Sequence, residues 1–416
     1  MVSVAVFLSV ALSYPLITDR CQWGGDVAPD RTQWSASSAE TADRFDRTLL
    51  SQCWTDDVEA VRTIADRPGT GLVITARQGG LDDVYRLARH LVEGAGYERP
   101  LLLDANRYSG TRRLPATAPF DQDWISRQRE LGLPVLTDSG YLASGDESGL
   151  ITILDQTARL GDAIATLPLH LDWLTTPRGR WQLLRQVRAY GVPVAPVLEH
   201  RADPFDARGA VDGLLGLLDC GVPVVLLRSD VSALGALCCG AVAAAVGTRA
   251  TLRHLTPVPS APWSGPRNPP KPSVVVPRCL AYKRLGEVGR TRRKHPEVAV
   301  WSCDCETCDG KELDWMLRLP PKRQEKLAIQ HSLRTLLSLR ERLVGPRPEE
   351  DRMSWYARCG AASFWLREVG WIRPSALRYW QEAIVPPGRS DSAVPRPRSA
   401  RPTPALSRSR QTPPSM

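Results

Sequence analysis

The sequence predicts an α/β protein built as a (β/α)8 TIM-type barrel, followed by a smaller C-terminal subdomain and a disordered C-terminal tail. Short apolar runs ending in a polar or charged residue recur along residues 70–255, each followed by an amphipathic stretch. Their spacing is about 30 residues, the size of one βα unit. The chain of 416 residues, 43% of them hydrophobic, is long enough to bury a sizeable core.

The runs are Gly71-Leu-Val-Ile-Thr75, Pro100-Leu-Leu-Leu-Asp104, Leu133-Pro-Val-Leu-Thr-Asp138, Leu167-Pro-Leu-His-Leu-Asp172, Val192-Pro-Val-Ala-Pro-Val-Leu198 and Val222-Pro-Val-Val-Leu-Leu-Arg228. Near-continuous apolar runs are what parallel strands buried on both faces require. Helical patterns such as Leu81 to Gly94 and Arg178 to Tyr190 separate them. A further unit is expected at Ala241 to Gly247 and an eighth strand at Val298-Ala-Val-Trp-Ser302. Eight sequential parallel units fit a barrel most simply, with a doubly wound open sheet as the alternative.

The expected divisions are an N-terminal extension with the first barrel elements (1–70), the barrel (71–302), a helical subdomain (303–385) and the tail (386–416). The Pro- and Ser-rich stretch 256–275 reads as a surface excursion. The tail combines Pro, Ser and Arg with almost no large apolar residues, so it cannot bury enough surface to order itself. The apolar start, residues 1–13, lacks a basic flank and is too short to span a bilayer, which reads as a buried strand or an imprecise start. Ten unevenly spaced cysteines do not make a disulfide framework, so a reducing, cytoplasmic setting without a membrane is expected. Lys and Arg outnumber Asp and Glu by 54 to 45, a formal +9 that the Arg-bearing tail exaggerates. Charge alone therefore neither requires nor excludes nucleic acid.

Cys303, Cys305 and Cys308 lie close enough in sequence for one loop to aim three thiolates at a common centre. His331 follows Cys308 by 23 residues, at the start of a helical segment, and can supply the fourth ligand. Such a set describes a closed structural zinc site, one Zn2+ per chain; the alternative is three incidental cysteines and a surface histidine.

A CxCxxC loop followed by a helix-opening histidine, here His331-Ser-Leu-Arg-Thr-Leu-Leu-Ser-Leu-Arg340, resembles the zinc subdomain of the tRNA-guanine transglycosylases. A second stretch, Val135-Leu-Thr-Asp-Ser-Gly-Tyr141, is similar to that family's strand end carrying an aspartate of the base-binding centre. The resemblance implies a barrel that exchanges guanine or a 7-deazaguanine in tRNA or DNA. It implies Asp138 as an essential acid, with Ser139 and Gly140 beside it at the base. The family's glycine-rich base clamp and its nucleophile segment find no counterpart in the chain. A barrel that binds nucleic acid and has lost the nucleophile is therefore the rival expectation.

In a barrel the strand ends converge on one mouth. There the residues Asp104, Asp138, Asp172, Glu199, His200, Arg228 and Asp230 qualify, each Asp also readable as a helix cap. Base exchange needs one carboxylate to attack the ribose C1′ and another to move a proton. Asp230 is the candidate nucleophile, with Asp104 and Asp172 as substrate contacts. Gly247, Arg249, Arg253 and His254 could hold a phosphate, or simply end a packed strand. Basic residues at Lys283-Arg284, Arg290 to His295 and Lys322-Arg323, near Tyr282, Trp301 and Trp315, read as a nucleic-acid surface or a solvated face. Nucleic acid and a guanine-like base are the expected partners, with homodimerisation left open.

Overall fold

The computed structural model describes residues 36–259 and 271–384. The apolar start, the centre of the 256–275 excursion and the tail lie outside the described residues. The elements run α1 (Ala36–Phe45), β1 (Thr48–Trp54), α2 (Val58–Ala65), β2 (Thr70–Thr75), α3 (Leu81–Arg89), β3 (Leu101–Asp104), α4 (Gln122–Glu130), β4 (Val135–Leu136) and α5 (Glu147–Leu160). They continue with β5 (Ala163–His170), α6 (Asp172–Thr175), α7 (Pro177–Tyr190), β6 (Val194–Glu199), α8 (Ala210–Leu218), β7 (Val225–Ser229), α9 (Ser232–Cys238) and β8 (Ala243–Gly247). After these come a hairpin of β9 (Ser273–Val276) and β10 (Ala281–Arg284), then α10 (Leu285–Lys294), α11 (Pro321–Leu343), α12 (Pro348–Glu368) and α13 (Ser375–Ala383).

The fold is mixed α/β and TIM-like. Five parallel strands form one arc in the order β3-β2-β1-β8-β7, and β4-β5-β6 form a second. The arcs meet where Val194 bridges Val224 in parallel and its N–H donates to the Pro223 carbonyl over 3.0 Å. All eight strands feed one internal cluster: Leu50, Val73, Leu102, Leu136, Ile164, Val197, Leu227 and Ala245 point inward together. The alternate residues, such as Leu72, Ile74, Leu101 and Leu103, face the surrounding helices. This is the period-2 division a barrel wall imposes.

Two strand expectations need correction. The first strand of the arc is Thr48–Trp54, upstream of every apolar run identified from sequence, and the eighth is Ala243–Gly247. Thr48–Trp54 is buried throughout most of its length but carries Ser51 and Gln52, and these interrupt its apolar pattern. Residues 298–302 form no strand of the sheet. Val300 and Trp301 are buried, with Trp301 edge-on to Trp371 at 5.7 Å, and Ser302 makes only a lone bridge to Glu312.

The long helix α11 packs on two sides. Ile329, Leu333 and Leu337 join Val58, Val61 and Ile64 of α2, while Leu336, Leu339 and Leu343 join the cluster holding Leu234 and Leu237 of α9. It thus takes the place between α2 and α9 that a helix directly after β8 would fill. Helix α9 is buried on every side. Gly235 lets the rings of Trp355 (α12) and Trp380 (α13) close on α9, since a Cβ there would lie 2.6 and 2.8 Å from them. Among the described residues no helix is long and apolar enough to cross a membrane.

Because Leu336 is fully buried where α11 meets the barrel, Leu336→Ala is expected to destabilise the fold by about 2–5 kcal/mol, from lost transfer energy plus a residual cavity. A urea melt reads this directly, and a change below about 1 kcal/mol would mean that α11 is not part of the wall.

Candidate metal centre and barrel mouth

Residues 303–311 form a tight loop. The Cys308 and Asp309 N–H groups donate to the Cys305 carbonyl over 2.8 and 2.9 Å, and Gly310 N–H donates to that of Cys303 over 3.0 Å. Asp309 and Gly310 adopt left-handed φ of 51° and 73°, which turns the chain back on itself. His331 lies in the middle of α11 and not at its start as expected, and the helix brings it to the loop, with Nδ1 3.4 Å from the Cys305 Sγ and 3.3 Å from the Cys308 Sγ. The ligand atoms of Cys303, Cys305, Cys308 and His331 all lie within 4.8 Å of one another. Cys305 is half-buried and the other three are buried.

The His331 Nε2 sits 2.8 Å from the Val275 carbonyl of β9. A carbonyl only accepts, so Nε2 carries the hydrogen and Nδ1 keeps its lone pair for a metal. Hydrogen bonding with Cys303 and then Cys308 pulls the Cys305 thiol well below its ordinary range, toward the thiolate that ligates. Three thiols and one imidazole can hold a tetrahedral ion and leave no position open to substrate.

At the other end of the strands the mouth is densely paired. Asp104, ending β3, is buried and accepts hydrogen bonds from Gln52 Nε2 (3.1 Å), Thr75 Oγ1 (3.2 Å), Tyr108 OH (2.8 Å) and the Asn106 N–H (2.9 Å). Arg228, next to last in β7 with φ +46°, reaches the same carboxylate at 3.4 Å and the Asn106 Oδ1 at 2.5 Å. Asp138 is paired with Arg107 and accepts from the Asp121 N–H at 3.0 Å. Burial raises its carboxyl above the ordinary range, against the pull of Arg107. Glu199, ending β6, takes Arg113 at 2.6 Å and the Tyr141 hydroxyl at 2.5 Å, and Arg113 lies over the Tyr141 ring.

Arg107, Tyr108 and Arg113 all come from the loop 105–121 between β3 and α4. Gly140 permits that loop its place, because a Cβ there would fall 2.0 Å from the Pro115 carbonyl oxygen. Ser139 is turned inward and shares a 2.8 Å hydrogen bond with Thr137. Asp172 stands apart, half-exposed at the start of α6 and bonded by Ser144 Oγ at 2.7 Å.

Asp230 follows β7 and lies with Asp203 and Asp206 in a cavity of about 140 Å³, walled also by Tyr282, Lys283 and Trp355. Burial raises the Asp203 carboxyl well above the ordinary range, and the Asp230 charge raises it further. Burial also raises Asp230, opposed by the Ser232 N–H at 3.0 Å and by Arg253. Two such groups facing each other retain a proton between them. Burial, with the His200 and Arg253 charges nearby, pushes His254 down to about 4, so it is neutral at pH 7.

Arg249 is held by Asp57, through Nε at 2.6 Å and an NH2 group at 2.7 Å, and by Glu325 of α11, which leaves its guanidinium occupied. Of the expected aromatic surface, Tyr282 lies beneath Arg253 at 3.3 Å, Trp301 is buried, and Trp315 is covered by Lys311 at 5.3 Å. Arg292 is taken by Glu312 and Asp314.

Sequence reasoning missed Gln52, Arg107, Tyr108, Arg113 and Asp203. The one available signal was the length of the 105–121 loop, since long connections in barrels often carry function. No family model and no curated protein matches the chain. Among solved structures it is similar to a Coccidioides immitis protein provisionally assigned as a fructose-1,6-biphosphate aldolase. The likeness has 12% identity and a TM-score of 0.34 over 74% of this chain and 95% of that one, too loose to inform the chemistry.

Two outcomes follow from this geometry. Elemental analysis should find about one metal ion per chain. Cys305→Ser should lose the ion and lower the melting temperature, whereas retained metal would dismiss the cluster as a site. For the carboxyl pair, a folded-state value above the unfolded one means stability present in acid and lost as pH rises. Asp203→Asn should therefore become more stable relative to wild type between about pH 4 and neutrality. Parallel stability–pH curves would exclude a shared proton.

Proposed function

We propose that the chain is a zinc-bearing (β/α)8 barrel of the transglycosylase type, which exchanges a guanine or 7-deazaguanine base in tRNA or DNA. The reading is carried by the convergence of Cys303, Cys305, Cys308 and His331 beside a barrel whose fourth strand opens into Leu136-Thr-Asp-Ser-Gly140. Three thiolates and an imidazole in tetrahedral reach favour Zn2+ over harder cations. Zinc at this centre would hold structure and take no part in chemistry.

The reaction would use the Asp203–Asp230 pair. The ionised Asp230 attacks C1′, the glycosidic bond breaks toward the base nitrogen, and Asp203 gives that nitrogen its proton. In the second half the incoming base returns a proton to Asp203 as its nitrogen displaces Asp230 from C1′. Protons and electron pairs balance over the cycle, and no redox partner is needed. Asp138 is the essential acid that the resemblance implies, and Asp172 is the substrate contact expected from its place after the next strand.

A second reading is favoured by the pairing at the mouth, where Asp104, Asp138 and Glu199 are each matched by an arginine. In that reading the barrel binds nucleic acid and performs no exchange.

Labelled-guanine exchange on tRNA and on DNA separates the two. Under the first reading the wild type incorporates label, and Asp138→Asn and Asp230→Asn each slow incorporation by about 10²-fold or more. Binding without incorporation by the wild type establishes the second reading. Neither binding nor incorporation overturns both.

A further inference from the structure

A groove of about 600 Å³ runs beside the metal loop, bounded by the β9–β10 turn, α11 and α12. Arg278, Arg342 and Arg358 enter it from these three elements. Their guanidinium groups lie close enough that Arg342 and Arg278 add to burial in weakening the hold of Arg358 on its proton. Like charges gathered this way repel, and the fold gains nothing from them unless an anion stands between.

Arg358 is half-buried, while Arg278 and Arg342 are exposed at the groove's edge. Among the described residues, no carboxylate lies within 4.0 Å of any of these three. Glu306 lines the groove but is taken by Arg67 and Arg334. Asp304 and Glu341 line it without approaching the trio.

Two of the three are also held in place. The Arg358 NH2 group donates to the Pro277 carbonyl at 3.2 Å, and Arg278 lies 5.2 Å over the Trp365 ring. The Arg358 Nε is buried with no hydrogen-bond partner, a donor left unsatisfied inside the protein. A buried N–H without an acceptor is costly, so natural structures rarely keep one unless a ligand, an ion or an ordered water supplies the acceptor.

We propose that this groove binds a phosphate of a nucleic-acid backbone, its oxygens bridging Arg278, Arg342 and Arg358. A phosphodiester supplies a negative charge and acceptor oxygens together, and arginine forks match it. The identity of the polymer rests on the proposed function, whereas the preference for an oxyanion does not.

Binding of fluorescent tRNA and single-stranded DNA to the metal-loaded full chain is measured across a salt series, for wild type and for Arg278→Ala/Arg342→Ala. Both side chains are exposed, so metal content and melting temperature should be unchanged. Arg342→Gln is the fallback should the double variant fold poorly. Wild-type affinity should fall steeply with salt. The double variant should bind at least about tenfold more weakly, with a log–log slope shallower by about 1–2. An unchanged slope overturns the proposal, whatever the exchange assay shows. Unchanged polymer binding with an Arg342-dependent rise in melting temperature on adding inorganic phosphate would assign the groove to a small phosphate and overturn the polymer. A shallower slope in a protein that exchanges no base leaves the groove standing and removes the transglycosylase reading alone.

Discussion

One helix carries two obligations. Helix α11 fills the wall between α2 and α9, and the same helix presents His331 to the cysteine loop. Its register is therefore set twice, by leucines that must face two neighbours and by an imidazole that must reach three thiols. Glu306 strengthens the tie, since the metal loop is pinned to Arg334 on α11 and to Arg67 between α2 and β2. An ion at this centre would thus stabilise the barrel wall as well as its own loop, because ligand binding energy at a closed site is folding energy.

A different constraint governs the opposite end of the strands. A barrel mouth collects polar groups from chain segments far apart, and carboxylates removed from water must be paired or protonated. Here one loop meets much of that need. Residues 105–121 send Arg107 to Asp138, Tyr108 to Asp104 and Arg113 to Glu199. The loop can lie so close only because Gly140 has no side chain to strike Pro115. The Asp-Ser-Gly stretch after β4 has in this respect a packing explanation of its own, independent of any ligand.

What could be read from the sequence follows from how locally each feature is encoded. The Cys3His cluster was legible because its three cysteines sit within six residues, and most strands were legible because both faces are buried. Strand β1 was not, since Gln52 is an interior residue there that trades hydrogen bonds with Thr75, Asp104 and the Arg228 N–H. Buried polar groups of this kind look like surface until their partners are known. Val298–Ser302 misled for the opposite reason: Val300 and Trp301 are buried, Trp301 against Trp371, without belonging to a sheet. The pairing of Arg249 with Asp57, 192 residues away, has no local sequence signal at all.

The same distinction narrows where proton chemistry can occur. A carboxylate matched by a guanidinium is held in place by that partner, which describes Asp104, Asp138 and Glu199. Asp203 and Asp230 are instead set against each other in a cavity. Two carboxyls so placed cannot both ionise cheaply, so one is held as acid while the other remains a base or nucleophile. Division of labour between two carboxyl groups by environment is the general way one fold provides both partners of an acid–base step. In this chain the two carboxyls that face each other lie in the segments just after β6 and β7, and the strand ends proper are paired across the mouth.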